Sequence, residues 1–73
     1  MTILPLEEAC FAEPFEPFSL HLADGRELRI PHPEFVSFTA SEWIVIVYDR
    51  DGSRNLVDLE LVTTLRFPRP ERT

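Results

Sequence analysis

The sequence predicts a mainly β fold: a small antiparallel barrel of five or six short strands preceded by a short N-terminal helix. Three observations carry this expectation. Two Asp-Gly pairs, Asp24-Gly25 and Asp51-Gly52, each sit between runs of strand-forming residues. Around the first pair, in FSLHLADGREL, apolar and polar residues alternate on both sides. The longest apolar run, Trp43 to Tyr48, is of strand length and far short of the ~20 residues that a membrane-spanning helix needs. The 73 residues read as one domain, with a helix over about 5–12, the barrel over about 17–67 and a frayed tail over 68–73.

Taken in order, Pro5 to Ala12 (PLEEACFA) reads as the helix. Pro5 stands at its first position, Glu7 and Glu8 lie in its first turn, and Leu6 and Cys10 are one turn apart. The prolines of EPFEPF, residues 13–18, end it in an extended segment. The first hairpin follows. A two-residue loop at Asp24-Gly25 would place every apolar residue opposite a polar one. A three-residue loop, Ala23-Asp24-Gly25, instead pairs Leu22 with Arg26, Leu20 with Leu28 and Phe18 with Ile30. It also places Gly25 where this loop needs a left-handed residue. Phe18, Leu20, Leu22, Leu28 and Ile30 then share one face, and Ser19, His21, Glu27 and Arg29 the other.

PHPEF, residues 31–35, is a corner, and Phe35 to Thr39 reads as a short third strand. The strand over 43–48 is apolar on both faces: Trp43, Val45 and Val47 on one, Ile44, Ile46 and Tyr48 on the other. Either face fits the core. The second face then calls for a cover, supplied by the N-terminal segment or by another subunit. Around Asp51-Gly52 a two-residue loop and a longer one both give acceptable partners among Leu56, Val57 and Leu59. Leu59, Val62 and Leu65, three apart, predict a tight helical turn before a last strand containing Leu65 and Phe67.

Composition narrows the function. The net charge is −6, which disfavours a general affinity for nucleic acid or anionic membrane. One cysteine, Cys10, permits no internal disulfide and fits a reducing cytoplasm. The start of the chain lacks the positive region of a signal peptide, so a soluble intracellular protein is expected. His21, His32 and Cys10 are the candidate chemical groups, but no pair has a metal-ligand spacing. Both glycines are used by the hairpin turns, which leaves none for a phosphate-binding loop. No catalytic residue, metal or cofactor is therefore assigned, and an enzyme is not expected. The expected contact surface comes from the corner and the apolar strand: His32, Phe35, Trp43, Val45, Val47 and Tyr48. Its expected partner is a second copy of the chain or another protein.

The pattern PFxxHLxDGRxLxxPHPxF, followed by VxVYxxDG and DLxLVTxL, resembles a group of small, uncharacterised bacterial proteins with an SH3-like or Sm-like β-barrel. The residues concerned run from Pro17-Phe18 through Asp24-Gly25-Arg26, Pro31-His32-Pro33 and Val47-Tyr48 to Asp58-Leu59 and Leu61-Val62-Thr63. The resemblance covers about residues 14–67 and implies the barrel without an activity. Sm-type proteins bind RNA and assemble into rings through edge strands, so an Sm-like nucleic-acid binder is the alternative. It would use Arg26, Arg29 and Arg54, with Tyr48 or Phe35 for stacking. The chain departs from that pattern at Ile30-Pro31-His32-Pro33 and at Asp58-Leu59-Glu60-Leu61. What carries over is assembly through barrel edges.

Overall fold

In the computed structural model of the chain, which describes residues 1–69, the first hairpin has the expected loop. Strands β1 (Phe18–Leu22) and β2 (Glu27–Ile30) pair antiparallel, with Phe18 opposite Ile30 and Leu20 opposite Leu28. The Leu22 amide donates to the Arg26 carbonyl and the Gly25 amide to the Leu22 carbonyl, both at 2.9 Å. Gly25 has φ +93°, the left-handed region that a side chain disfavours. Asp24 braces the loop by accepting from the Arg26 amide at 3.0 Å and from the Arg26 Nε at 2.8 Å.

The second Asp-Gly turn repeats the first. Asp49 N–H donates to the Ser53 carbonyl at 2.9 Å, and Gly52 N–H to the Asp49 carbonyl at 3.0 Å, with Gly52 at φ +91°. The loop is therefore Arg50-Asp51-Gly52, the longer of the two options left open by the sequence. It joins β4 (Ile44–Tyr48) to β5 (Arg54–Asp58) with Val45 opposite Val57 and Ile46 opposite Leu56.

Between the hairpins, Pro31-His32-Pro33 stops β2, and a 3-10 turn over Pro33–Phe35 redirects the chain into β3 (Val36–Phe38). After β5, the Asp58 carboxylate accepts from the Glu60 amide at 2.9 Å and caps a second 3-10 turn, Leu59–Leu61. The last strand, β6 (Val62–Arg66), starts three residues before Leu65, where the sequence had placed it. Val62 is drawn in by pairing with Leu22 and is buried. A bulge between His21 and Leu22 absorbs the change of register.

The six strands form two antiparallel sheets, in the orders β2-β1-β6 and β3-β4-β5. The hydrogen-bonded ladders do not join into one closed ring. The chain passes from one sheet to the other at two corners, Pro31–Phe35 and Leu59–Leu61. The inner faces meet in a core of Phe18, Leu20, Leu22 and Ile30 from the first sheet and Val36, Val45, Val47 and Val57 from the second. Leu59 and Val62 complete it at the second corner.

Helix α1 (Ile3–Phe11) adds Leu6, Ala9 and Cys10 to this core. It starts two residues earlier than predicted, so Pro5 lies inside its first turn and the glutamates fall beyond that turn. Proline is tolerated there because the first four helical amides have no partner within the helix. Thr2 makes no side-chain cap. A missing cap costs about 1 kcal/mol, whereas burial of a leucine such as Leu6 contributes roughly 1.5–3 kcal/mol. Packing, not capping, holds this helix. Phe11 also meets Phe38 with ring centroids 5.7 Å apart, and the Met1 amine donates to the Leu59 carbonyl at 2.8 Å. Of the predicted tail, Pro68 and Arg69 are exposed coil, and 70–73 lie outside the described residues.

Candidate interaction surface

The two sheets differ on their outward faces. In the first, the outward residues are Ser19, His21, Glu27, Arg29, Thr64 and Arg66, all polar. Alternation in the second turns Ile44, Ile46 and Tyr48 outward from β4, because Val45 and Val47 on the same strand are 0% and 1% exposed. The register sets Leu56 of β5 beside Ile46, and Leu56 is 73% exposed. A contiguous apolar row therefore crosses the outer face of the second sheet. Arg54 and Asp58 bound it on β5, and Ser37 bounds it on β3. Ser37 Oγ donates to Tyr48 Oη at 3.2 Å, which fixes the phenol at one end of the row.

The N-terminal segment does not serve as the cover for this face. Its buried residues, Leu6, Ala9 and Cys10, join the core between the sheets. Leu56 is left 73% exposed, and Ile44, Ile46 and Tyr48 are half-buried. The ambiguity of strand 43–48 is thereby resolved: the valines face in, and the isoleucines and the tyrosine face out.

The residues expected to form the contact surface divide into three groups. Val45 and Val47 belong to the core and are removed from any surface, because alternation gives a strand one inward face. Phe35 and Tyr48 both line a cleft of about 490 Å³ between β2 and the β4–β5 turn, and the His32 ring lies beside Phe35 at 6.1 Å. Trp43 stands at the far end of β4, where its carbonyl accepts from the Leu59 amide at 2.8 Å. The sequence reading passed over Leu56. Its signal was the alternation of RNLVD, which places Leu56 and Val57 on opposite faces and becomes decisive only when Val57 is set opposite Val45.

The cleft carries Arg29 and Arg50 against Glu27, Asp49 and Asp51, a charge balance that offers phosphate no positive field. The turn acids are used internally. Ser53 Oγ donates to Asp51 Oδ1 at 2.6 Å, and Asn55 Nδ2 donates to Asp49 Oδ2 at 3.0 Å. The Ser53 side chain and amide hold the Asp51 carboxyl below its ordinary range. The backbone amide of Arg26, and then its guanidinium, do the same for Asp24.

The three candidate chemical groups occupy separate places. Cys10 is buried in α1, and desolvation pushes its thiol up to about 11. His32 is exposed at the first corner. His21 lies on the polar face, its Nε2 buried without a hydrogen-bond partner and 3.6 Å from Glu27 Oε2. Among the described residues, no three His, Cys, Asp or Glu side chains are placed to hold a metal ion together, and no helix is long and apolar enough to cross a membrane. Comparison with models of protein families, with curated proteins and with solved structures returned no match.

Proposed function

We propose that this chain is a small, non-catalytic barrel of the SH3-like or Sm-like kind that works in the cytoplasm as a protein-interaction or self-assembly module. Its contact surface is the outer face of the second sheet together with the free edge of β5. The observation that carries this reading is the row in which the exposed Leu56 continues the half-buried, outward-facing Ile44, Ile46 and Tyr48. A single exposed leucine on a protein surface is ordinary, but a contiguous apolar row with polar residues at its ends is a mark of association. The barrel half of the reading draws support from β1, which pairs with both β2 and β6, and from the two corners that carry strands between the sheets.

Charge weighs against the nucleic-acid alternative. The chain is acidic overall, and in the cleft that holds Phe35 and Tyr48 acids outnumber arginines. No gel shift of RNA or single-stranded DNA is expected at tens of micromolar protein in low salt.

The test of the module is absolute mass by light scattering over a tenfold concentration range, for the wild type and Leu56→Glu. Leu56 is exposed in the single chain, so the variant should fold and lose only the stability that association adds. The reading expects association that Leu56→Glu weakens by about tenfold or more, equivalent to about 1.4 kcal/mol. Association that ignores this substitution would move the contact surface elsewhere.

A further inference from the structure

The free edge of β5 has a self-complementary order of side chains and backbone groups. Strand β5 pairs only with β4 among the described residues, so its other edge is open. The ladder fixes which residues address that edge. Asp49 N–H bonds to Ser53 at one end of the β4–β5 pairing and Leu59 N–H bonds to Trp43 at the other. Hydrogen-bonded and non-hydrogen-bonded pairs alternate along an antiparallel ladder. Val47–Asn55 and Val45–Val57 are then the bonded pairs, and Arg54, Leu56 and Asp58 turn their amides and carbonyls to the open side. These same three residues carry the outward-facing side chains of β5.

We propose that β5 pairs antiparallel with β5 of a second copy, about a two-fold axis through Leu56. The proposal rests on the interaction surface assigned above and names its occupant. In this register Leu56 meets the second copy's Leu56, and Arg54 meets the second copy's Asp58, twice by symmetry. Each pair exchanges backbone hydrogen bonds through groups that already point outward. Neither Arg54 nor Asp58 forms an ion pair within the chain among the described residues. Opposite charges at the ends of an edge strand with an uncharged centre, Asn55-Leu56-Val57, complement each other only when the second strand runs the other way. An isologous contact of this kind closes at two copies and does not propagate.

The other edges are less suited. β3 has three residues, β2 runs into Pro31, and the segment after β6 reaches Pro68 one residue beyond Phe67. A five-residue ladder buries less than the ~1,600 Å² of a standard stable interface, so the dimer should depend on concentration in the micromolar to millimolar range. It would also carry the apolar row across the axis, so that Ile46 and Leu56 of one copy continue into Leu56 and Ile46 of the other.

The experiment uses two charge reversals of the full chain, Arg54→Asp and Asp58→Arg, each alone and mixed in equal amounts. Two-fold pairing sets like charges opposite each other in either variant alone, and opposite charges in the mixture. The expected result is a dimer for the wild type, at least tenfold weaker association for each variant, and recovery in the mixture as a heterodimer, identified by native mass spectrometry. Recovery also shows that both variants fold. Asp58 caps a turn, so a second route is needed if Asp58→Arg melts early. Leu56→Cys in a Cys10→Ala background places two thiols on the axis, about 5.5 Å apart at Cα, and should cross-link under mild oxidation.

Wild-type association that survives both reversals, with no cross-linking at position 56, overturns the two-fold pairing. The interaction surface would still stand if Leu56→Glu dissociated the assembly. A wild type that stays monomeric at millimolar concentration overturns the pairing and the self-assembly half of the reading, leaving only a heterologous protein for the apolar face.

Discussion

The two sheets are built alike and dressed differently. Each contains a hairpin closed by the same three-residue loop with glycine in third place, and each turns a row of aliphatic side chains into the shared core. Outward, the first shows histidine, threonine and charged residues around a buried Ser19, and the second shows isoleucine, tyrosine and leucine. The first sheet shows that this fold does not require an apolar outer face. The row on the second is therefore best explained by what the molecule contacts, and variants can test each half of that contrast.

The largest effect should come from the inner faces. Leu20→Ala removes a fully buried side chain and should cost about 2–5 kcal/mol in urea unfolding, as large-to-small core changes do. Ile46→Ala, on the outer face, should cost no more than about 1 kcal/mol, the span of β propensity. Equal costs would mean that the outer row is covered within the chain, and the contrast between sheets would fail.

The matching turns should respond alike. Nothing lies within 4 Å of a Cβ added at Gly25 or Gly52, so alanine at either position meets only the backbone penalty. About 1–2 kcal/mol is expected for each, read as a shift of the urea midpoint. A clear inequality would show that the shared hydrogen-bond pattern conceals different strain.

Cys10 sharpens the contrast by pH. Its folded-state pKa is raised from 9.0 to about 11 by burial, so folding favours the neutral thiol. The associated stability is intact below pH 9 and is lost as pH rises through about 11. Chemical denaturation at pH 8 and pH 10.5 should show this loss in the wild type but not in Cys10→Ala. Asp24 and Asp51 act in the opposite sense, because their depressed pKa values make stability fall as acid titrates them below their ordinary range. The smallest effect belongs to the polar face. Glu27→Gln removes an exposed partner from His21 and should change stability by less than about 1 kcal/mol by thermal melting.

The first sheet was the more legible in the sequence because its polarity supplied the register. Once Phe18, Leu20 and Leu22 had to share a face with Leu28 and Ile30, a single loop length fitted. The second hairpin withheld its loop because both faces of Ile44–Tyr48 are apolar, so no register was penalised. That property made the candidate surface hard to place: until Val57 is fixed opposite Val45, nothing distinguishes Val45 from Ile46. The helix start was obscured by Pro5, which suits any position in a first turn. The start of β6 depended on Val62 meeting Leu22, a contact between distant parts of the chain that local spacing does not encode.

The pairing of β1 with β6 has a consequence for how the molecule forms. Ser19 lies opposite Arg66 and Leu20 opposite Leu65, so the first and last strands are neighbours. Both hairpins can close locally, within microseconds, but the first sheet lacks its third strand until the rest of the chain has been made and drawn round. Until β6 docks, β1 offers an unpaired edge. The same proximity brings the two ends of the β region together. A circular permutant joined there and opened at Arg50-Asp51-Gly52 would keep every strand pairing while changing the order in which the strands are made.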